Sequence, residues 1–159
     1  MPLSIQRPNR INQTRICIHD SSNRDFSGEI YNPYLPAPIP FAGVAELLGR
    51  MEGLMDRFEF PQSYYQPRSF HDDSKIQALR ASEERVTRHM EEKVFETKVG
   101  RRATFIVQIQ FRQNATWQGV ITWSEKKQER HFRSTLEMIK LMDEAMEEAR
   151  KEDEAFATW

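Results

Sequence analysis

The chain has 159 residues, 38% hydrophobic and 30% charged, enough for one compact domain or two small intertwined halves but with long charged segments left outside the core. Ten Phe, four Tyr and three Trp exclude a chain disordered throughout, because disordered chains are poor in aromatics. A net charge of −1 and a single cysteine, Cys17, exclude a strong overall pull on nucleic acid or acidic lipid, an intramolecular disulfide and a cysteine-based zinc site.

Residues 1–14 are polar, carry Pro2 and Pro8, and read as a flexible arm without the apolar stretch of a signal peptide. No segment approaches the ~20 apolar residues of a membrane span, so the expectation is a cytoplasmic protein that does not engage the membrane. The acceptor patterns Asn12-Gln13-Thr14 and Asn114-Ala115-Thr116 are then chance matches. Arg15 to His19 alternates as a short strand, and Phe26 to Tyr31 alternates again after the turn-rich stretch 21–25. Pro33, Pro36, Pro38 and Pro40 confine the next stretch to an extended edge or loop.

Val44, Leu47, Leu48, Met51, Leu54, Met55 and Phe58 recur at three- and four-residue spacing and predict a helix over 44–58. An aromatic extended segment, 58–70, follows. The highly charged connector 71–102 carries a thin apolar stripe that predicts a surface helix over 74–93, with Gly100 as its stop. Thr104 to Phe111 is the strongest strand pattern, with a turn near 112–114, a hairpin partner over 115–123 and a possible third strand over 128–132. The last helix is predicted from Thr135 to about Lys151. Ser134 and Glu137 form a capping box at its start, and residues 152–159 are left as a tail.

A shift of 91 residues lays 15–56 on 106–147 without a gap, with identities at eight of 42 positions: Ile18/Ile109, Asn23/Asn114, Gly28/Gly119, Ile30/Ile121, Phe41/Phe132, Glu46/Glu137, Met51/Met142 and Met55/Met146. Chance gives roughly three. The matches fall at turn, strand-glycine, pre-helix and helix-core positions, where each residue type has a physical role. The expected fold is therefore α+β: a pseudo-symmetric duplication of a strand–strand–(edge strand)–helix unit, 15–70 and 103–151, forming an antiparallel sheet with both helices on one face.

Phe111-Arg112-Gln113-Asn114-Ala115-Thr116-Trp117-Gln118-Gly119, then Phe132-Arg133-Ser134 and Leu136 to Asp143, with Phe60-Pro61-Gln62 and Arg68-Ser69-Phe70 in the first half, resembles a family of small uncharacterised bacterial proteins. The likeness covers about 15–70 and 103–149. It implies a bacterial cytoplasmic origin and carries over no activity.

Chemistry-bearing patterns are sparse. Cys17 reads as a small buried hydrophobe on a strand. His19, two residues on, would be its partner in a nucleophilic pair, but no third group is visible. The four histidines, His19, His71, His89 and His131, are scattered, and His71-Asp72-Asp73 reads as a loop or helix cap. There is no nucleotide-binding glycine loop. Asn114 to Gly119 loosely resembles half of the cyclic-di-GMP motif of PilZ domains, but the arginine pair that motif needs upstream is missing. No catalytic residue, cofactor or metal ligand is expected.

Charge placement is more informative. Residues 98–133 carry eight basic residues against two acidic ones, and 134–159 carry eight acidic against three basic. Arg101, Arg102, Arg112, Lys126, Lys127 and Arg130, with Tyr64 and Tyr65, form the candidate interaction surface. The expectation is a non-enzymatic regulatory or adaptor protein, monomer or homodimer, that acts by binding another protein. The alternative is nucleic-acid binding on the basic hairpin surface, with Trp117 and Trp123 as added stacking faces. A cyclic-dinucleotide binder ranks below both. Seven methionines, five in or beside the helices, suit either an adaptable binding surface or packing under a sheet.

Overall fold

The structure, a computed structural model, describes residues 13–22, 25–58, 70 and 92–157. In chain order the elements are β1 (Gln13–Ser22), β2 (Asp25–Tyr31), β3 (Ile39–Ala42), α1 (Val44–Phe58), α2 (Glu92–Glu96), β4 (Ala103–Phe111), β5 (Gln118–Trp123), a 3₁₀ turn (Ser124–Lys126), β6 (Gln128–Phe132) and α3 (Thr135–Ala157). The strands form one antiparallel sheet in the order β3-β2-β1-β4-β5-β6. The fold is α+β.

The two halves carry the same register. Ile16 faces Ile30 and Ile18 faces Gly28 in the first hairpin. Adding 91 to every number gives Val107 facing Ile121 and Ile109 facing Gly119 in the second. The edge pairings Gly28↔Phe41 and Gly119↔Phe132 obey the same shift. Each long strand also has a bulge at the matched place, between Ile18 and Asp20 and between Ile109 and Phe111. At the centre of the sheet Arg15 faces Ile106, a pair itself 91 residues apart. The two glycines permit the close approach at these bulges: a Cβ on Gly28 would lie 1.9 Å from the Cys17 carbonyl oxygen, and one on Gly119 would lie 2.1 Å from that of Gln108.

The core lies between the sheet and the helices α1 and α3. Ile16, Ile18, Ile30, Phe105, Val107, Ile109 and Ile121 meet Leu47, Met51 and Met55 from α1 and Met138, Met142 and Met146 from α3. These five methionines are therefore core, not an adaptable surface. The opposite face is covered in part by residues 94–102. The Arg15 guanidinium donates to the carbonyls of Glu96 and Lys98 and lies 5.8 Å from the Phe95 ring centroid. Thus α2 packs on the face away from the other two helices, because Arg15 and Cys17 alternate with the core-facing isoleucines.

Several boundaries differ from expectation. Gln13 and Thr14 belong to β1, not to a loose arm. Helix α3 runs to Ala157, so most of the expected tail is helical. Its last turns stand in solvent, tied by Lys126–Glu152, Arg102–Asp153 and Arg150–Glu154 ion pairs. The Ser134 hydroxyl accepts from the Glu137 N–H at 3.1 Å, but the Glu137 carboxylate reaches the N–H of Arg133 rather than that of Ser134. The capping box thus closes one residue early, on the Arg133 N–H, and the Arg133 guanidinium binds Glu137 as well. Gly100 ends no helix: it is where the chain crosses β1, and a Cβ there would lie 2.5 Å from the Ile18 nitrogen. The connector helix expected over 74–93 lies outside the described residues apart from its last two positions.

Candidate functional site

The basic residues singled out in the sequence have different surroundings. Arg112 is only 4% exposed and is bound by Glu52 at 3.2 Å and Asp56 at 2.7 Å, both on α1, so it is a structural clamp and not a surface residue. The turn that follows β4 reaches across to α1, which is why a residue that reads as exposed in sequence is buried. Lys126 pairs with Glu152, which raises its pKa, and Arg102 lies 3.8 Å from Asp153. Exposed pairs of this kind contribute little stability, but they set basic hairpin residues against the acidic helix. Arg101 lies on the face away from the long helices, where its N–H meets the His19 ring. Lys127, in a left-handed conformation, and Arg130 are exposed. Tyr64 and Tyr65 lie outside the described residues. Trp117 and Trp123 are buried, so neither offers a stacking face. The Trp117 indole N–H donates to Glu52.

The pair considered for nucleophilic chemistry is also occupied. Cys17 is fully buried, and burial pushes its thiol up to about 11 against the opposing pull of Arg15. A thiol held in its protonated form is a poor nucleophile. His19 Nε2 is 3.2 Å from Glu29, and its Nδ1 accepts from the Arg101 N–H at 3.2 Å. Both ring nitrogens are therefore engaged. Glu29 also accepts from Tyr31 at 2.8 Å, and burial followed by that hydrogen bond pushes the phenol up to about 12. This network fastens residues 98–101 to the sheet. Among the described residues no group of three or more His, Cys, Asp or Glu gathers as metal ligands would.

A cleft of about 450 Å³, counting its open mouth, lies between α3 and the β4–β6 side of the sheet. Its floor is apolar: Phe105, Ile121 and Trp123 from the sheet, Leu141 and Ala145 from the helix. Gln128 and Arg130 from β6 and Glu144 and Glu148 from α3 form an exposed polar rim. The Arg130 guanidinium donates to the neighbouring Glu129 carbonyl at 2.8 Å. The cleft borders β6, the last strand of the sheet among the described residues. Of the residues singled out in the sequence, Arg130 and Trp123 line it, and Lys126 stands beside it with its ammonium 5.9 Å from the Trp123 ring centroid. A sequence signal for it exists in the 91-residue comparison: Leu54 in α1 corresponds to Ala145 in α3, a smaller side chain at the cleft.

No family model, curated protein or solved structure matches this chain.

Proposed function

We propose that this chain is a non-enzymatic regulatory or adaptor protein of the bacterial cytoplasm, built by duplication, that binds an extended segment of another protein along the edge of β6. The observation that carries this reading is a difference between the two sheet edges at a matched position. In β3, Pro40 faces Glu29. Proline has no N–H, so the position loses no bond to β2 only if its nitrogen faces outward. The 91-residue match to Pro40 is His131, which faces Val120. His131 keeps its N–H, and β6 has no further strand beside it among the described residues. One edge is blocked and the other is open to strand addition, in which backbone hydrogen bonds give affinity and neighbouring pockets give specificity. The cleft under α3 supplies such a pocket, and Glu144 and Glu148, which form no ion pair among the described residues, favour a basic segment over an acidic one.

The test compares the tagged native chain with His131→Pro in pull-downs from the native lysate, with and without nuclease. This reading expects a discrete protein partner that survives nuclease and is lost with His131→Pro, while the melting temperature stays within about 2 °C. Partners that vanish with nuclease would favour a nucleic-acid ligand instead. That ligand should bind in a salt-sensitive way and weaken when Lys126, Lys127 and Arg130 are changed to Glu.

A further inference from the structure

The 91-residue shift sets the stretch beside the cleft against residues 32–35 of the first half, where Leu35 is in the core and Tyr34 packs against Phe58. In the first half the connection from β2 to β3 turns at Asn32, whose side-chain oxygen accepts from the Tyr34 N–H at 2.9 Å while its carbonyl accepts from the Leu35 N–H at 3.0 Å. That turn sends Leu35 into the core cluster and sets Tyr34 edge-on to Phe58, with ring centroids 6.4 Å apart. The matched connection in the second half is shorter, residues 124–127 against 32–38, because β5 and β6 pair further along, and its chemistry is opposite. Tyr34 corresponds to Glu125, which turns away to accept from the Thr104 N–H. Leu35 corresponds to Lys126, which turns out to Glu152. On the facing helix Leu54 and Phe58 become Ala145 and Ala149. Four large apolar side chains thus correspond to two charged and two small ones; of these Ala145 lines the cleft and Lys126 stands beside it, while Trp123 and Leu141 form part of its wall.

From this comparison we infer that the cleft under α3 receives, in trans, what the Tyr34–Leu35 turn supplies in cis: an apolar side chain of leucine or tyrosine size on a short extended segment of a partner protein. The inference rests on the strand-addition reading and names its specificity determinant. A segment laid along β6 passes over Gln128 and Arg130, and a side chain directed to the helical face of the sheet enters the cleft. The rim, with two carboxylates against one guanidinium, biases that segment towards neutral or basic flanks.

The experiment titrates the full chain into a dye-labelled peptide that copies residues 32–39 and ends in two added lysines, alongside its counterpart with alanine in place of Leu35. Saturable binding should weaken roughly tenfold or more with the alanine peptide, the difference that burial of a leucine side chain makes. A filled variant, Lys126→Leu with Ala145→Leu, should melt higher and bind neither peptide. Absent binding, equal binding of the two peptides, or binding retained by a filled variant that melts higher each overturns the inference. If the filled variant does not fold, the peptide pair on the native chain decides alone. The same variants in the pull-down separate the two proposals. A partner kept by the filled variant but lost with His131→Pro sinks the cleft and leaves strand addition standing; a partner kept by His131→Pro sinks strand addition itself.

Discussion

Cys17 illustrates how a residue that looks reactive in a sequence is silenced by its surroundings. Its thiol is fully buried on β1, and the folded chain holds the proton until about 11, against an ordinary value of 9.0. Between those values the unfolded chain binds fewer protons than the folded one, so stability falls as pH rises, by about 3 kcal/mol in all. Denaturant titrations at pH 8 and pH 10.5 should show this loss in the native chain and a smaller one in Cys17→Ala. Alkylation of Cys17 should require unfolding. Arg112 makes the converse point: removing a buried guanidinium leaves Glu52 and Asp56 repelling each other. Because both carboxylates are partly exposed, Arg112→Ala should cost about 2–3 kcal/mol, below the range for a fully buried pair. In the other half Ser21 stands at the matched position, and Glu147, matched to Asp56, is bound by Arg150 from its own helix.

At the scale of the element, turns and caps carry the detail. The turn from Gln113 to Thr116 closes with the Thr116 N–H donating to the Gln113 carbonyl at 3.1 Å, and both central residues have positive φ, Asn114 at 56° and Ala115 at 57°. Asparagine tolerates that region and alanine does not. Ala115→Gly should therefore raise stability by about 0.5–1 kcal/mol, measurable as a higher denaturation midpoint. Helix starts are fastened from matched places. Asp25 accepts from the Val44 N–H at 2.7 Å, and Thr116 accepts from the Thr135 N–H at 2.8 Å. Either residue changed to Ala should cost about 1 kcal/mol. Gly28 and Gly119 stand against backbone carbonyls that cannot rotate away as a side chain could. Gly28→Ala and Gly119→Ala should each cost about 3 kcal/mol or more, and similar losses at the two sites are expected of a duplicated unit.

Across the whole molecule, the central pairing of β1 with β4 runs through one continuous core, so neither half encloses its own apolar face. Residues 103–157 expressed alone should show no cooperative thermal transition, while the full chain should show one. The charged segments obey the same logic. The acidic end of α3 and the basic hairpin looked in sequence like two surfaces aimed at partners, yet Lys126–Glu152 and Arg102–Asp153 set them partly against each other. The halves differ at matched positions of the edge strand, Pro40 in β3 against His131 in β6, and of the facing helix, Leu54 in α1 against Ala145 in α3.

The sequence alone determined the elements and their order, because hydrophobic periodicity is local: the stripe over 44–58 is helix from end to end, and the alternation over 104–111 is strand with one added residue. It also held the 91-residue shift that the strand registers obey, since glycine, turn and core positions repeat wherever the backbone makes the same demand. Tertiary structure decided the rest, because burial and pairing depend on what crosses the chain. Arg112 is inside because α1 presents Glu52 and Asp56 to it. His19 is engaged because residues 98–101 fold back over β1. The cleft exists only where the packing of α3 on the sheet brings Leu141 and Ala145 over Phe105, Ile121 and Trp123, residues far apart in the sequence.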